Sequence, residues 1–374
     1  MLLDVDNAIP YLLERRYLSP TDIVDGSVRV TSVSRRNRNL RIVRNAGAGL
    51  LVKQVEASGS ESSLANEASF YRHCQDDPRA APVRALIPAL VGFEDAEGAL
   101  LIELVADAMP LGAHRGMFDD AAFLARVGAA VGRALGAFHR SCRSLVGTPG
   151  AHTARLGRNA PWVLWVHRPG PEILAEISAA NMKTLRILQQ RVELARQLDA
   201  LRRSWRIETA VHCDIKADNL LLVGDVAGTG AIDVRVVDWE LVQLGDPGWD
   251  VGAMFKDFVM HWILSMPISK QMTSARMMDA AIHPLTGFQA GLRALWRAYQ
   301  GASELHATES NDLLLRSSGY AAAWLVQSAY ESAQRASELG NHEVMMLQVA
   351  ANVLADPAEA ALRLFGVPMQ AVLR

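Results

Sequence analysis

The chain has 374 residues, which is long for one hydrophobic core, so we expect two lobes or domains. Half of the residues are hydrophobic, 21% are charged and the net charge is −2, a composition that is typical of a globular protein and gives no argument for binding nucleic acid or a membrane. The three cysteines lack CxxC spacing, which argues against a disulfide framework and a zinc motif. Acidic residues near the N-terminus argue against a secretion signal, and charges in every long apolar run argue against a membrane-spanning helix. We therefore expect a cytoplasmic protein.

The chain opens with a predicted lead-in helix that should end near Pro20, because proline breaks a helix interior. Residues 28–33 and 40–43 are short apolar runs that predict a β-hairpin. The turn between them carries Ser34, Asn37 and three arginines. Such a turn either binds phosphate oxygens or lies in solvent as an ordinary basic turn.

Residues 50–55 predict a third strand, in which Lys53 alternates with apolar neighbours. A lysine among buried side chains needs an anionic partner. We expect that partner in the helix predicted over residues 62–74, where apolar residues recur at helical spacing. Glu67 is the first candidate because it lies near the helix centre. Glu61 is the second, although a glutamate near the N-terminus could instead complement the helix dipole.

A strand predicted over residues 99–105 is followed by a turn-rich segment at residues 106–116. We therefore place the boundary between an N-terminal lobe, residues 1–105, and a C-terminal lobe, residues 106–374. The glycines near residue 46 fit neither GxGxxG nor GxxxxGK[ST], which argues against Rossmann and P-loop phosphate sites.

The C-terminal part is predicted to be mainly helical, with a long core helix over residues 119–143 and an insert over residues 144–206 that contains a helical stretch from residue 172. Over residues 107–210, fifteen Arg or Lys oppose eight Asp or Glu. This positive excess would repel a polycationic acceptor if it faces the site, or it is a solvated helix surface. Further apolar helices are predicted over residues 254–264, 287–299, 313–336 and 342–354.

The segment from Val211 to Asp250 holds the clearest chemical pattern. It reads VHCDIKADNLLLV, then a glycine-rich break, then VRVVDWELVQLGDPGWD, and predicts a hairpin after a loop. Asp214 precedes Asn219 by five residues, and Asp238 ends a β-branched run. One carboxylate for an acceptor hydroxyl, with an Asn and an Asp for Mg²⁺, is the layout of a phosphoryl-transfer site, because hard Mg²⁺ prefers oxygen ligands.

Three motifs in this order resemble the aminoglycoside phosphotransferase and choline kinase superfamily, relatives of the protein kinases. They are His-Cys-Asp at 212–214 with Asn219, Val-Asp-Trp-Glu at 237–240, and Gly-Asp-Pro-Gly-Trp-Asp at 245–250. The resemblance extends from about residue 28 to the early 300s. It implies an α+β, bilobal protein-kinase-like fold, in which a small N-terminal lobe has an antiparallel sheet plus a helix and the larger lobe is mainly helical. It also implies ATP- and Mg²⁺-dependent transfer of the γ-phosphate to a small-molecule hydroxyl.

The resemblance also implies roles for individual residues. Asp214 would take or orient the acceptor proton, and Lys216 would neutralise charge on the moving phosphoryl group. Asp250 would hold the catalytic loop in shape. The position of His212 at a strand-to-loop corner, between Val211 and Cys213, predicts that it braces the loop. The nucleotide would be bound by Lys53, Glu67, the turn residues Ser34 and Asn37, and the backbone from Glu103 to Val105, and the metal by Asn219 and Asp238.

Glu240, Asp257 and His261 are the polar residues best placed to reach the acceptor. The sequence leaves two other functions open. One is a kinase for Ser or Thr of a precursor peptide in a lanthipeptide-like pathway, with a partner enzyme for the later elimination; a basic surface that binds an acidic leader would favour it. The other is a non-catalytic nucleotide-binding partner protein, against which the intact Asp214, Asn219, Asp238 and Lys53 argue.

Overall fold

The computed structural model describes residues 1–24, 28–33, 38–44, 48–55, 61–148, 150, 152–171, 174, 177–268, 272 and 274–371. The chain forms two compact units. The first contains Met1–Leu111, Gly147–Gly157 and Asn219–Gln243, and the second contains Gly112–Val146, Arg158–Asp218 and Leu244–Arg374.

The elements follow the order of the chain. The strands are β1 Arg29–Ser32, β2 Arg38–Val43, β3 Leu50–Gln54, β4 Leu90–Glu94, β5 Ala99–Glu103, β6 Met109–Pro110, β7 Thr209–Val211, β8 Leu220–Gly224, β9 Ile232–Val236 and β10 Gln243–Gly245. The helices include α1 Ala8–Glu14, α2 Pro20–Val24, α3 Glu61–Asp76, α4 Ala81–Arg84, α5 Ala121–Cys142, α6 Ala179–Gln190, α7 Val192–Arg203, α8 Gly248–Leu264, α9 Ser274–Asp279, α10 Leu285–Ser303, α11 Ala307–Ser332, α12 Asn341–Ala355 and α13 Pro357–Arg363.

The first unit is organised around an antiparallel sheet with the strand order β1-β2-β3-β5-β4. Its register pairs Leu40 with Val52 and Val52 with Leu101, so these apolar side chains form one buried layer. The predicted hairpin is present as β1 and β2. The predicted lead-in helix is present as α1, but it ends at Glu14, and Pro20 begins α2 instead of ending α1, because proline is tolerated in the first turn of a helix. The sequence patterns did not predict β4, a partly buried edge strand whose pairing with β5 shifts register between Leu90 and Gly92.

A second, smaller sheet in the first unit joins β6, β8 and β9. The predicted hairpin after the central loop is β8–β9, with Leu220 opposite Val236 and Gly224 opposite Ile232. The side chains of Leu220, Leu222 and Val234 are buried, because alternate residues of each strand face the interior. This hairpin fixes the backbone that leads into Asp238.

The second unit is built on α5, which lies along α10. Gly128, Gly132 and Gly136 recur every four residues on α5, and a Cβ on the first two would collide with the backbone oxygens of Gly291 and Leu295 on α10. Small residues in one helical row let the two backbones approach closely. Among the described residues, one helical segment, Ala121–Val146, is long and apolar enough to cross a membrane, but 61% of its apolar window is buried inside the protein, as in a core helix.

The insert differs from the single helical stretch predicted from residue 172. The structure contains two helices, α6 and α7, separated at Arg191, whose backbone (φ −90°, ψ 77°) leaves the helical region. Each helix buries its own pair of leucines, Leu185 and Leu188 on α6 and Leu194 and Leu198 on α7. The apolar spacing continues across the break, which explains why the pattern alone suggested one helix.

Candidate active site

A buried lysine on β3 lies at the centre of the candidate site in the first unit. The Nζ atom of Lys53 is 3.0 Å from both carboxylate oxygens of Glu67 on α3 and 2.8 Å from Oδ1 of Asp238. Lys53 is 4% exposed and Glu67 is fully buried. The structure therefore brings together the predicted lysine, its first-choice partner and one predicted metal ligand, while the side chain of Glu61 lies outside the described residues.

The charge of Lys53 follows from this arrangement. Burial would lower the pKa of Lys53, but the carboxylates of Glu67 and Asp238 outweigh it and raise the pKa above its ordinary value. The lysine is thus a fixed positive charge at neutral pH. Glu67 also accepts a hydrogen bond from the backbone N–H of Trp239 at 3.2 Å, so the same carboxylate holds the segment that follows Asp238.

Asn219 and Asp238 belong to the two arms of the β8–β9 hairpin. Asn219 precedes β8, and its carbonyl oxygen accepts a 3.0 Å hydrogen bond from the N–H of Val237, next to Asp238. Asp238 has a left-handed backbone with φ 72°, which Asp tolerates better than most residues and which often marks functional positions. Together they offer oxygen donors of the kind Mg²⁺ prefers, and a Mg²⁺ site needs only one or two such side chains when phosphates complete the shell.

The second unit contains the loop with Asp214. Lys216 donates to Oδ2 of Asp214 at 2.6 Å, and both side chains are partly exposed, 42% and 24%. The N–H of Asp214 donates to Nδ1 of His212 at 3.2 Å, so this ring nitrogen carries no proton. His212, as predicted, lies where it braces the loop.

Asp250 anchors the start of this loop from α8. Its carboxylate is fully buried and accepts the N–H groups of His212 at 2.7 Å and Cys213 at 3.0 Å. Cys213 has φ 68°, so the loop turns sharply at this point. The anchor agrees with the expectation for Asp250, which ties the loop to the apolar helix that follows it.

A histidine on α5 completes the anchor. Nε2 of His139 is 3.2 Å from Oδ2 of Asp250, and Nδ1 is 2.9 Å from the hydroxyl of Tyr299. Because an ionised carboxylate only accepts, we assign the imidazole proton to Nε2, and the Tyr299 hydroxyl then donates to Nδ1. Burial raises the pKa of Tyr299, which keeps that hydroxyl protonated.

The other end of the loop is held by Asp257, a contact that sequence reasoning missed. Its Oδ2 accepts the N–H of Ala217 at 2.9 Å, and its side chain is 5% exposed. Asp257 was expected to reach an acceptor, but the structure commits one carboxylate oxygen to the loop. Asp257 lies on the same apolar helix as Asp250, seven residues or two helical turns later. This spacing could have predicted that both carboxylates hold the loop.

The remaining predicted residues lie apart from these clusters or outside the described chain. Ser34 and Asn37 are outside the described residues. Glu103 ends β5, and its N–H donates to Ala89 at 2.8 Å, while Glu103 and Val105 border a cavity of about 470 Å³ in the first unit. The adenine-binding role of this backbone stays a prediction.

Of the other candidates near the acceptor, His261 is buried, and burial lowers its pKa. Glu240 is half-buried, and its carbonyl oxygen is 3.4 Å from the side-chain amide of Asn66. Their roles toward an acceptor stay predictions.

Residues 28–301 match the sequence model of the phosphotransferase enzyme family, APH. The chain belongs to this family. Two solved structures are similar to the phosphotransferase in fold. Choline kinase from Cryptosporidium parvum Iowa II shares 10% identity over 96% of this chain and 98% of its own, with a TM-score of 0.55. A glucosamine kinase shares 16% identity over 94% and 85%, with a TM-score of 0.52.

No curated protein matched the chain in sequence. The family match confirms the predicted superfamily, and the two structural neighbours confirm the predicted α+β, protein-kinase-like fold class. At such low identity the structural likeness establishes the fold of this phosphotransferase, and its substrate has to be argued from its own residues.

Proposed function

We propose that the protein transfers the γ-phosphoryl group of ATP to the hydroxyl of a small molecule with the help of Mg²⁺. The observation that carries this proposal is the buried Lys53–Glu67 ion pair, with Asp238 bound to the same ammonium. Removing a lysine from water costs free energy, and pairing it in this way adds little stability by itself, so the presence of the pair favours a functional role.

In this proposal Lys53 binds the α- and β-phosphates, and Glu67 holds its ammonium in place. Asn219 and Asp238 would hold Mg²⁺, which when bound neutralises charge on the phosphates. Asp214 orients the acceptor hydroxyl and accepts its proton as the acceptor oxygen bonds to the γ-phosphorus and the bond to the bridging oxygen breaks. Lys216 compensates negative charge near Asp214.

The test uses ATP labelled in the γ-phosphate, Mg²⁺ and panels of sugars, amino alcohols, hydroxy acids and antibiotics. We expect label transfer to one panel and its loss, by at least about a hundredfold, in Asp214→Asn. Asp233→Asn, an exposed aspartate on β9, is the matched control and should keep the wild-type rate. Unchanged transfer by Asp214→Asn would refute the assignment.

A second candidate acceptor is the Ser or Thr side chain of an acidic peptide. The observation that favours it is a group of exposed arginines on and beside α6 and α7, namely Arg186, Arg191, Arg196 and Arg203. Such a surface attracts an acidic leader segment. Adding Ser/Thr peptides with and without an acidic leader to the same assay separates the two. Transfer only to leader peptides rejects a metabolite, and tight ATP binding without any transfer supports a non-catalytic partner.

The same proposal places the protein in the cytoplasm, where ATP is abundant and thiols stay reduced. None of the three cysteines forms a disulfide in the structure, and two of them are buried.

A further inference from the structure

Helix α8 carries a lysine in an otherwise apolar setting. Lys256 is 5% exposed and lies between Phe255 and Asp257 in the middle of the helix, where nearly every neighbour is buried. Removing an ammonium from water is expensive unless anions or hydrogen-bond acceptors replace the water. Its partners therefore indicate what the lysine is for.

The described contacts of this ammonium are incomplete. Nζ of Lys256 is 3.5 Å from Oδ1 of Asp257 and 5.4 Å from the centroid of the Trp324 ring. An ammonium has three donors, and within the described part of the chain neither contact is a short hydrogen bond. Asp257 is also shared, because its other oxygen accepts the N–H of Ala217. A further anion would satisfy the donors that remain.

A series of contacts connects the Lys256 ammonium to the loop that carries Asp214, the proposed base. Asp257 binds Ala217, the residue after Lys216, and Lys216 binds Asp214 at 2.6 Å. All of these residues belong to the second unit. A group bound by Lys256 would therefore lie beside the carboxylate that holds the loop of Asp214 and Lys216.

The same surroundings disfavour a cationic acceptor. The Trp324 ring, which could otherwise face a substrate ammonium, already contacts Lys256 and lies 4.4 Å from the Trp249 ring. Lys256 itself would repel a substrate cation that approached this ring. His261 adds no anion, and burial, together with Arg115 and Lys256, lowers its pKa despite Asp257 and Asp218.

We propose that Lys256 binds an anionic group, a carboxylate or a phosphate, of the acceptor whose hydroxyl is phosphorylated. The inference rests on the proposed phosphotransfer and adds the substrate class: hydroxy acids or phosphorylated alcohols, selected by the ion pair with Lys256. Lys256 then acts as a specificity residue, while Asp257 positions both this lysine and the loop.

The test measures the affinity of four small probes by titration calorimetry, with Mg²⁺ and a non-hydrolysable ATP analogue present. The probes are 3-hydroxypropionate, 3-hydroxypropyl phosphate, 3-hydroxypropionamide and 3-amino-1-propanol. At least one anionic probe should bind ten or more times more tightly than the neutral amide, and the amine should bind most weakly. Whichever anion binds more tightly identifies the group as carboxylate or phosphate.

In Lys256→Met that preference should fall at least tenfold, and in Lys256→Arg most of it should return. Lys183→Met, which removes a lysine paired with Glu338 on the surface, should keep the wild-type preference. Equal affinities for all four probes in the wild type, no binding by any of them, or an unchanged preference in Lys256→Met would overturn the inference. If Lys256→Met does not fold, the affinities of the four probes for the wild-type protein still test the inference.

Label transfer from ATP separates this inference from the proposed function. Charge-selective binding without transfer to any hydroxyl would refute phosphotransfer and leave the anion site standing. Transfer to neutral and anionic acceptors at equal kcat/KM would leave phosphotransfer standing and refute the role of Lys256.

Discussion

Each compact unit contributes one candidate lysine, and the two lysines form ion pairs in opposite environments. In the Lys53–Glu67 pair the side chains are 5% and 0% exposed, whereas in the Lys216–Asp214 pair they are 42% and 24% exposed. A buried pair fixes its geometry, and breaking it leaves an uncompensated charge. An exposed pair is screened by water and can exchange partners at little cost. We infer that the Lys53 ammonium of the first unit is held in a fixed position, whereas Lys216 and Asp214 of the loop can change their partners.

The loop nevertheless has a buried anchor, and removing it should have the largest effect. Asp250→Ala deprives the N–H groups of His212 and Cys213 and the ring of His139 of their acceptor. Each unsatisfied buried donor costs about 1–3 kcal/mol, so the free energy of unfolding should fall by about 3 kcal/mol or more. Urea denaturation measures it. Asp250→Asn, which keeps one acceptor oxygen, should lose less, and equal losses would contradict the account.

Glu67→Ala should have the next largest effect. It removes the fully buried partner of Lys53, but Asp238 still compensates the ammonium, so we expect a loss of about 3 kcal/mol, at the low end for a broken buried pair. ATP affinity should fall as well. Glu338→Ala, which breaks the surface pair with Lys183, is the control and should cost no more than about 1 kcal/mol. Similar losses in both variants would erase the contrast between buried and exposed pairs.

A smaller, pH-dependent effect should come from His261 beside Asp257. Burial lowers the pKa of His261 in the folded protein, so the unfolded chain binds this proton more readily. Its contribution to stability is therefore complete above about pH 6.5 and is lost as the pH falls below that value. His261→Gln should reduce the loss in unfolding free energy between pH 7.5 and pH 5.5. His152→Gln, at a partly exposed histidine, is the control, and identical pH profiles for wild type and His261→Gln would rule the effect out.

Lys216→Ala should change stability least, by no more than about 1 kcal/mol, because its pair with Asp214 is exposed. Its rate of phosphoryl transfer should still fall, by about a hundredfold, if the lysine stabilises charge in the transition state. Unfolding and label-transfer measurements on the same preparation test both. A large loss of stability, or an unchanged transfer rate, would contradict the proposed difference between the fixed Lys53 pair and the exposed Lys216–Asp214 pair.

The buried contacts of Asp250 and Asp257 also show which interactions a sequence pattern cannot predict. Lys53 and Glu67 were paired from a strand alternation and a helix position, because both are local patterns with a charge that needs a partner. The contacts of His139 with Asp250 and of Asp257 with Ala217 join residues 111 and 40 positions apart, and no local period encodes them. The same limit explains the edge strand β4 and the helix break at Arg191.

By itself the sequence determined the superfamily and the fold class and predicted the residue types of the site, since three motifs with short spacings carry the resemblance and strands and helices have their own periods. The tertiary structure decided which carboxylates face which amides. It showed Asp257 bound to the loop and Lys256 buried beside Trp324 with incomplete partners. The physical reason is that burial and long-range pairing arise only when helices pack, and they set the energetic weight of each charge.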